Sequence, residues 1–367
     1  MRWVGIAAAA AALAVASIAW ALPGSEETES RPLAVPAGLS DRQLAGQRIV
    51  CGFDGRRPPS GLVQAIGAGE VGGVILFADN VSSRAQVRSL TDGLQAVQRP
   101  AGLQQPLIVS IDQEGGQVKR LPGPPSMSAA EMGRRGAKIA RAQGAATGAS
   151  LARAGINVDL APVLDVARPR GFIADQRRGF AAKPGRVASV GTAFAAGLQS
   201  RGVAATAKHF PGLGATAANT DLRPSRIGLG AGKLRRVDEA PYRSFIAAGG
   251  KLVMVSSARY PRLGTGKLPA SQSRPLISAE LRERLRFTGV TISDSLEAPG
   301  ARAGGGPAKV ALRAASAGTD LLLYVHCDAA AKAAGVLANA LTGGRLDRAS
   351  FEASVERVLA LRATLSR

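Results

Sequence analysis

Residues 206–221 read T-A-K-H-F-P-G-L-G-A-T-A-A-N-T-D. The apolar run V-A-A-T-A at 203–207 stops abruptly on Lys208 and His209. A Pro-Gly turn follows, then a loop of small residues that closes on Asn219 and Asp221. A strand that ends on polar side chains and opens into a loop is how a parallel barrel delivers groups to its active face. The run V-T-I-S-D-S at 290–295 has the same form and sets Asp294 at a strand end.

Working outward from these two, apolar or β-branched runs recur at 48–53, 71–77, 107–112, 156–163, 251–257 and 321–326, giving eight expected strands. Between them, Ala/Leu/Arg segments with helical spacing lie at 59–69, 83–97, 137–154, 185–201, 234–248, 278–286 and 306–317. Helices at 329–342 and 348–365 close the chain. Alternating strands and helices imply parallel strands joined by helical crossovers. The fold class is therefore α/β, and eight units point to a single-domain (β/α)8 TIM-type barrel. An open doubly wound sheet is the competing architecture. The count of eight and the polar strand ends favour the barrel.

Ahead of the barrel, residues 1–21 carry Arg2 and then an almost unbroken apolar run to Trp20, ending on Ala19-Trp20-Ala21. This reads as a cleaved export signal or an uncleaved membrane anchor. Either places the domain outside the cytoplasm, secreted or envelope-associated. Residues 22–38 are rich in Pro, Glu, Ser and Gly and read as a disordered linker. The barrel takes 39–367. Its two cysteines, Cys51 at the first strand and Cys327 just past the eighth, fall at neighbouring strands of a closed barrel. An oxidising compartment favours a disulfide; two buried thiols are the other possibility. The net charge of +21 is spread without long basic runs or interleaved aromatics. That argues against nucleic acid and for a solvated surface, with anionic cell-wall polymers as an electrostatic partner.

The strand ends supply Asp54, Asp79, Asp112, Asp165, Lys208, His209, Ser256, Ser257, Asp294 and His326. Only two histidines and no Cys/His cluster are present, so no metal and no zinc site is expected. Several carboxylates could chelate magnesium, but no paired acidic motif stands out. No nucleotide loop appears, and no cofactor is expected. Carboxylates mixed with Lys, Arg and His donors suit a neutral polyhydroxylated ligand, a sugar.

The segments G-F-D-G (52–55), V-G-G-V-I-L-F (71–77), I-D-Q-E-G-G-Q-V-K-R (111–120), N-V-D-L-A-P-V-L-D-V (157–166), A-K-H-F-P-G (207–212), P-A-S-Q-S-R-P-L-I (269–277) and F-T-G-V-T-I-S-D-S-L (287–296) carry a resemblance. The chain resembles glycoside hydrolase family 3, and within it the single-domain bacterial β-N-acetylglucosaminidases, from about residue 44 to 365. The resemblance implies a retaining mechanism with Asp294 as nucleophile. It implies sugar-binding roles for Asp112, Arg178, Lys208 and His209, with Arg177 adjacent to Arg178 as an alternative. Glu114, Lys119 and Arg120 are expected to shape the loop.

The chain departs from its relatives most in one loop. Where the family's loop carries an Asp-His acid/base dyad, this chain has Asn219 and Asp221; Leu213 and Ala215 also replace polar residues. Asp79 stands where an Arg is usual, and Ser257 where a strand-end His is usual. Two readings follow. Asp221 is itself the general acid/base, with Asn219 supporting the loop, as in glycosidases that use two carboxyl groups. Or the loop has decayed, leaving a catalytically impaired sugar-binding envelope protein. The first makes the chain a monomeric exo-hydrolase, acting on terminal β-linked N-acetylglucosamine such as that of muropeptides in peptidoglycan turnover. A phosphorylase is a third possibility.

Overall fold

A computed structural model describes Met1, residues 35–302 and residues 305–366. The expected export segment 1–21 and most of the linker lie outside the described residues. Eight parallel strands form one sheet: β1 (Ile49–Cys51), β2 (Gly73–Leu76), β3 (Ile108–Ile111), β4 (Val158–Asp159), β5 (Ala204–Phe210), β6 (Leu252–Val255), β7 (Val290–Ser293) and β8 (Leu322–Tyr324). β8 pairs with β1 in register Val50↔Leu323. A bridge Ile292↔Leu321 joins β7 to β8, so the sheet closes on itself as a barrel.

The strands read as continuous apolar runs because both faces are buried. Val50, Ile75, Ile108, Val158, Leu252 and Ile292 fill the interior. Alternate residues such as Ile49, Val74, Leu76 and Val109 face the helices outside. The last helix, Arg348–Ala363, adds Val358 and Leu361 to the interior cluster. Its Arg362, buried, donates to the carbonyls of Leu103, Gln105 and Pro106. That helix thus packs at the end of the barrel where the strands begin.

Two expected helices differ in form. Residues 234–238 and 275–284 wind as wider π-helical turns rather than α-helix. Short helices at Asp41–Gln47 and Ala129–Arg135 begin at capping boxes, Ser40 with Gln43 and Ser128 with Glu131. A small hairpin, Gln113–Gly115 with Val118–Lys119, rises from the end of β3. Cys51 and Cys327 form a disulfide that ties the end of β1 to the residue opening the helix after β8. No helix among the described residues is long and apolar enough to cross a membrane.

Candidate functional site

A cavity of about 270 Å³ opens where the strands end. Asp112, Lys208, His209, Asp294 and Ser295 enter it from β3, β5 and β7; Phe172 and Arg178 come from the loop after β4. Leu213, Asn219, Thr220 and Asp221 come from the loop after β5. A larger hollow of about 520 Å³ lies between helices Ser60–Gly67 and Cys327–Thr342, where Ala65, Ala68, Ala330, Ala331 and Ala334 line it among others. Chemistry rather than volume places the site in the smaller one: there carboxylates and cationic donors from several strands converge.

Its floor is a buried charge network. Lys208 Nζ lies 2.6 Å from Asp112 Oδ1 and 2.7 Å from Glu114 Oε1. Arg178 grips Glu114 with both arms of its guanidinium, at 2.8 and 2.7 Å. Burial alone would raise the Glu114 carboxyl, but Arg178 and then Lys208 outweigh it and hold it well below the ordinary range. Burial would likewise lower Lys208, but Asp112 and Glu114 raise it, so the ammonium stays charged. Beneath them Asp159, fully buried, accepts the Gln113 N–H at 3.0 Å. Desolvation lifts its carboxyl to about 8, so it is protonated at neutral pH.

This network corrects one expectation. Glu114 does not merely shape the loop; it is the shared counter-ion that orients Arg178 and Lys208. Arg120 also lines the cavity, and its Nε is buried without a hydrogen-bond partner. The hairpin turns it inward, with Gln113 Oε1 accepting the Arg120 and Leu121 N–H groups. Lys119 instead is exposed and donates to the Gly123 carbonyl at 3.2 Å. Arg177 is exposed too, beside Glu131, so Arg178 is the residue delivered to the cavity.

His209 is fixed from behind. Asp165, fully buried, lies 2.7 Å from His209 Nδ1 and accepts the Leu213 N–H at 2.6 Å. A carboxylate at Nδ1 favours the tautomer with the proton there and leaves Nε2 as the other functional nitrogen. The turn after His209 requires Gly212: its φ is +137°, and a Cβ there would stand 2.7 Å from Asp238 Cβ. Asp238 is in turn gripped by Arg168 at 2.6 and 2.8 Å.

Asp294 is half-buried at the end of β7, its Oδ1 accepting the Ser295 N–H at 2.8 Å. Asp221 lies on the β5 loop, where Asn219 Oδ1 accepts its backbone N–H at 3.0 Å. The neighbouring Thr220 carbonyl accepts the Gly300 N–H at 3.0 Å, tying this loop to the one after β7. Burial, and then the Asp294 charge, raise the Asp221 carboxyl to about 6. By surface area Asp221 is an exposed residue, so solvent weakens the burial contribution; the Asp294 charge acts in the same direction.

Other strand-end residues fall outside the cavity. Asp54 and Asp79 are exposed, and Asp79 accepts the Gly55 N–H at 2.9 Å. His326 pairs with Glu297 at 3.0 Å on the rim. Ser257 is buried with its hydroxyl unpaired. Among the described residues no group of three Asp, Glu, His or Cys side chains is arranged to hold a metal ion.

Comparison with known proteins gives a consistent result. The glycosyl hydrolase family 3 N-terminal domain matches residues 43–361. An uncharacterized secreted glycosyl hydrolase of Arthroderma benhamiae is 40% identical, covering 91% of this chain and 97% of its own length. Beta-hexosaminidase A of Pseudoalteromonas piscicida is 28% identical over 92% of this chain, which spans only 63% of that protein. The crystal structure of a β-N-acetylhexosaminidase from Beutenbergia cavernae superposes with a TM-score of 0.81 at 31% identity, covering 89% of this chain and 99% of that one. A family 3 β-N-acetylglucosaminidase from Paenibacillus also gives 0.81, at 33% identity, covering 89% of this chain and 63% of that one.

Proposed function

The chain belongs to glycosyl hydrolase family 3, and from that premise we propose that it is a retaining exo-β-N-acetylhexosaminidase working through Asp294 and Asp221. The observation that carries the proposal is their presence in one cavity with a cationic, hydrogen-bonding floor. Asp294 attacks the anomeric carbon as the glycosidic bond breaks, giving a glycosyl-enzyme. Asp221, protonated below about pH 6, gives its proton to the departing oxygen. Its carboxylate then takes a proton from the water that displaces Asp294, restoring both groups. Asp112, Lys208, His209 and Arg178 hold the sugar, and we add Arg120, whose buried Nε is unpaired.

The substrate is a terminal β-linked N-acetylglucosamine or related hexose, with muropeptide fragments a fitting source. We read the chain as exported and monomeric, its basic surface holding it near anionic wall polymers. The test is release of nitrophenol from a nitrophenyl β-N-acetylglucosaminide, with Asp294→Asn as control. Turnover abolished by that substitution supports the reading; no turnover alongside measurable sugar binding overturns it in favour of the impaired binding protein. One observation favours that second reading: the Asp221 side chain has no hydrogen-bond partner fixing it among the described residues. A rate that rises with added phosphate would mark a phosphorylase.

A further inference from the structure

On the flank of the barrel, outside the catalytic cavity, a hollow of about 540 Å³ lies between residues 264–275, which follow β6, and the helix Pro307–Ala317, which follows β7. Lys309, Leu312, Arg313 and Ser316 line it from the helix. Their spacing of three, four and seven residues sets them on one helical face. Leu268, Gln272, Ser273 and Arg274 line it from the opposite side. Cations therefore stand on both walls, and among the described residues no carboxylate lines the hollow.

An adjoining hollow of about 550 Å³ shows the contrast. Its Arg282 and Arg357 both pair with the buried Asp320. Lys309 is exposed and Arg313 half-buried, and neither has an ion-pair partner among the described residues. Arg274 acts on Asp347 only through its field, without contact. The polar groups of the wall are unsatisfied as well. Gln272 and Ser273 are each 3% exposed. Gln272 Oε1, Ser273 Oγ and Arg313 Nη1 are cut off from water without a hydrogen-bond partner. Such groups are costly to leave unpaired. Flipping the Gln272 amide does not help, because its Nε2 donates to the Ala301 carbonyl at 2.5 Å. The unsatisfied atom is thus an acceptor. These side chains form part of the wall, so an occupant of the hollow is the partner available to them.

That occupant must bring negative charge for the cations and a hydrogen-bond donor for Gln272. A carboxylate is planar and offers two oxygens, which suits one wall. A phosphate is tetrahedral and more highly charged, and it offers oxygens to both walls at once. We infer that this hollow binds the phosphate ester of a polyol. Arg274, Lys309 and Arg313 hold the phosphate, Gln272 and Ser273 take the hydroxyls, and Leu268 and Leu312 back the carbon chain. The inference is independent of the reaction at Asp294, and none of these residues lines the catalytic cavity.

The test is calorimetric titration of the full chain with glycerol 3-phosphate, glycerate and glycerol. Glycerol 3-phosphate is expected to bind about tenfold more tightly than glycerate, and glycerol not to bind. Lys309→Gln with Arg313→Gln should weaken glycerol 3-phosphate by about tenfold or more. If that double variant does not fold, the exposed single substitution Lys309→Gln is expected to weaken it about threefold. Removing the same charge by Arg56→Gln with Arg57→Gln, exposed beside a different hollow, should leave the affinity unchanged. Three results overturn the inference: no binding of glycerol 3-phosphate, equal affinity for glycerate, or an equal loss in the Arg56 and Arg57 control. Poly(glycerol phosphate) separates the sources of the ester. Tighter binding than the monoester through Lys309 and Arg313 assigns the site to a polymer; weaker binding assigns it to a free phosphate ester.

Discussion

Glu114 and Asp221 are two carboxyl groups at one cavity, and their surroundings push them in opposite directions. Glu114 is buried, but Arg178 and Lys208 share it and keep it ionised far below the ordinary range. Asp221 has no cationic partner in contact among the described residues, and burial with the Asp294 charge lifts it to about 6. Groups that grip a substrate gain from being fixed before it arrives. An acid/base must change its protonation state during turnover, and a tight arginine pair would prevent that. A free Asp221 with a raised pKa therefore suits the acid/base role proposed for it.

The comparison can be broken at either end. Asp294→Asn has the largest expected effect: it removes the proposed nucleophile and should lower kcat by at least about 10⁴-fold, measured with the nitrophenyl glycoside. Asp221→Asn should cost about 10²–10⁴-fold on substrates with poor leaving groups and much less on activated ones. It should also remove the alkaline limb of kcat. In the native chain the acid form is lost as pH rises through about 6, so activity falls there. The same shift has a stability sign. The folded carboxyl holds its proton above the unfolded value of 3.8, so this group's contribution declines as pH climbs from about 4 to about 6.

Glu114→Gln strikes the other carboxyl. It leaves Arg178 and Lys208 without their shared buried counter-ion and is expected to destabilise the fold by about 3–5 kcal/mol. The denaturation midpoint should fall and the KM for sugar should rise. An unchanged midpoint would mean that the network is not held as described. Asn219→Ala has the smallest expected effect. Losing one hydrogen bond to the Asp221 backbone should cost about 1 kcal/mol, or a fewfold loss in kcat at unchanged KM.

The strands were readable because a closed parallel sheet buries both faces, so each strand appears as an unbroken apolar run. Lys208 and Asp294 were readable because such runs end on them. The roles of Glu114 and Arg120 are hidden in the sequence for a physical reason. The partner that reveals Glu114's role, Arg178, is 64 residues away in sequence. What turns Arg120 inward is a hairpin of two- and three-residue strands, too short for an alternating pattern to register. The G-G pair at 115–116, with both φ angles positive, was the available turn signal. The helices at 41–47 and 129–135 were not expected, although S-x-x-Q and S-x-x-E capping boxes mark their starts. The π-helical turns left no such trace, since their helical spacing reads like any other.

The proposed mechanism depends most on Asp221 serving alone as the acid/base. Chemical rescue tests it most directly: Asp221→Asn is given a glycoside with an activated leaving group, with and without azide. If Asp221 is the acid/base, the glycosyl-enzyme on Asp294 forms but its hydrolysis stalls. Azide, needing no base, should then restore turnover and yield a glycosyl azide of retained β configuration. A variant that turns over at the native rate, with a native pH profile and no azide product, would contradict the assignment.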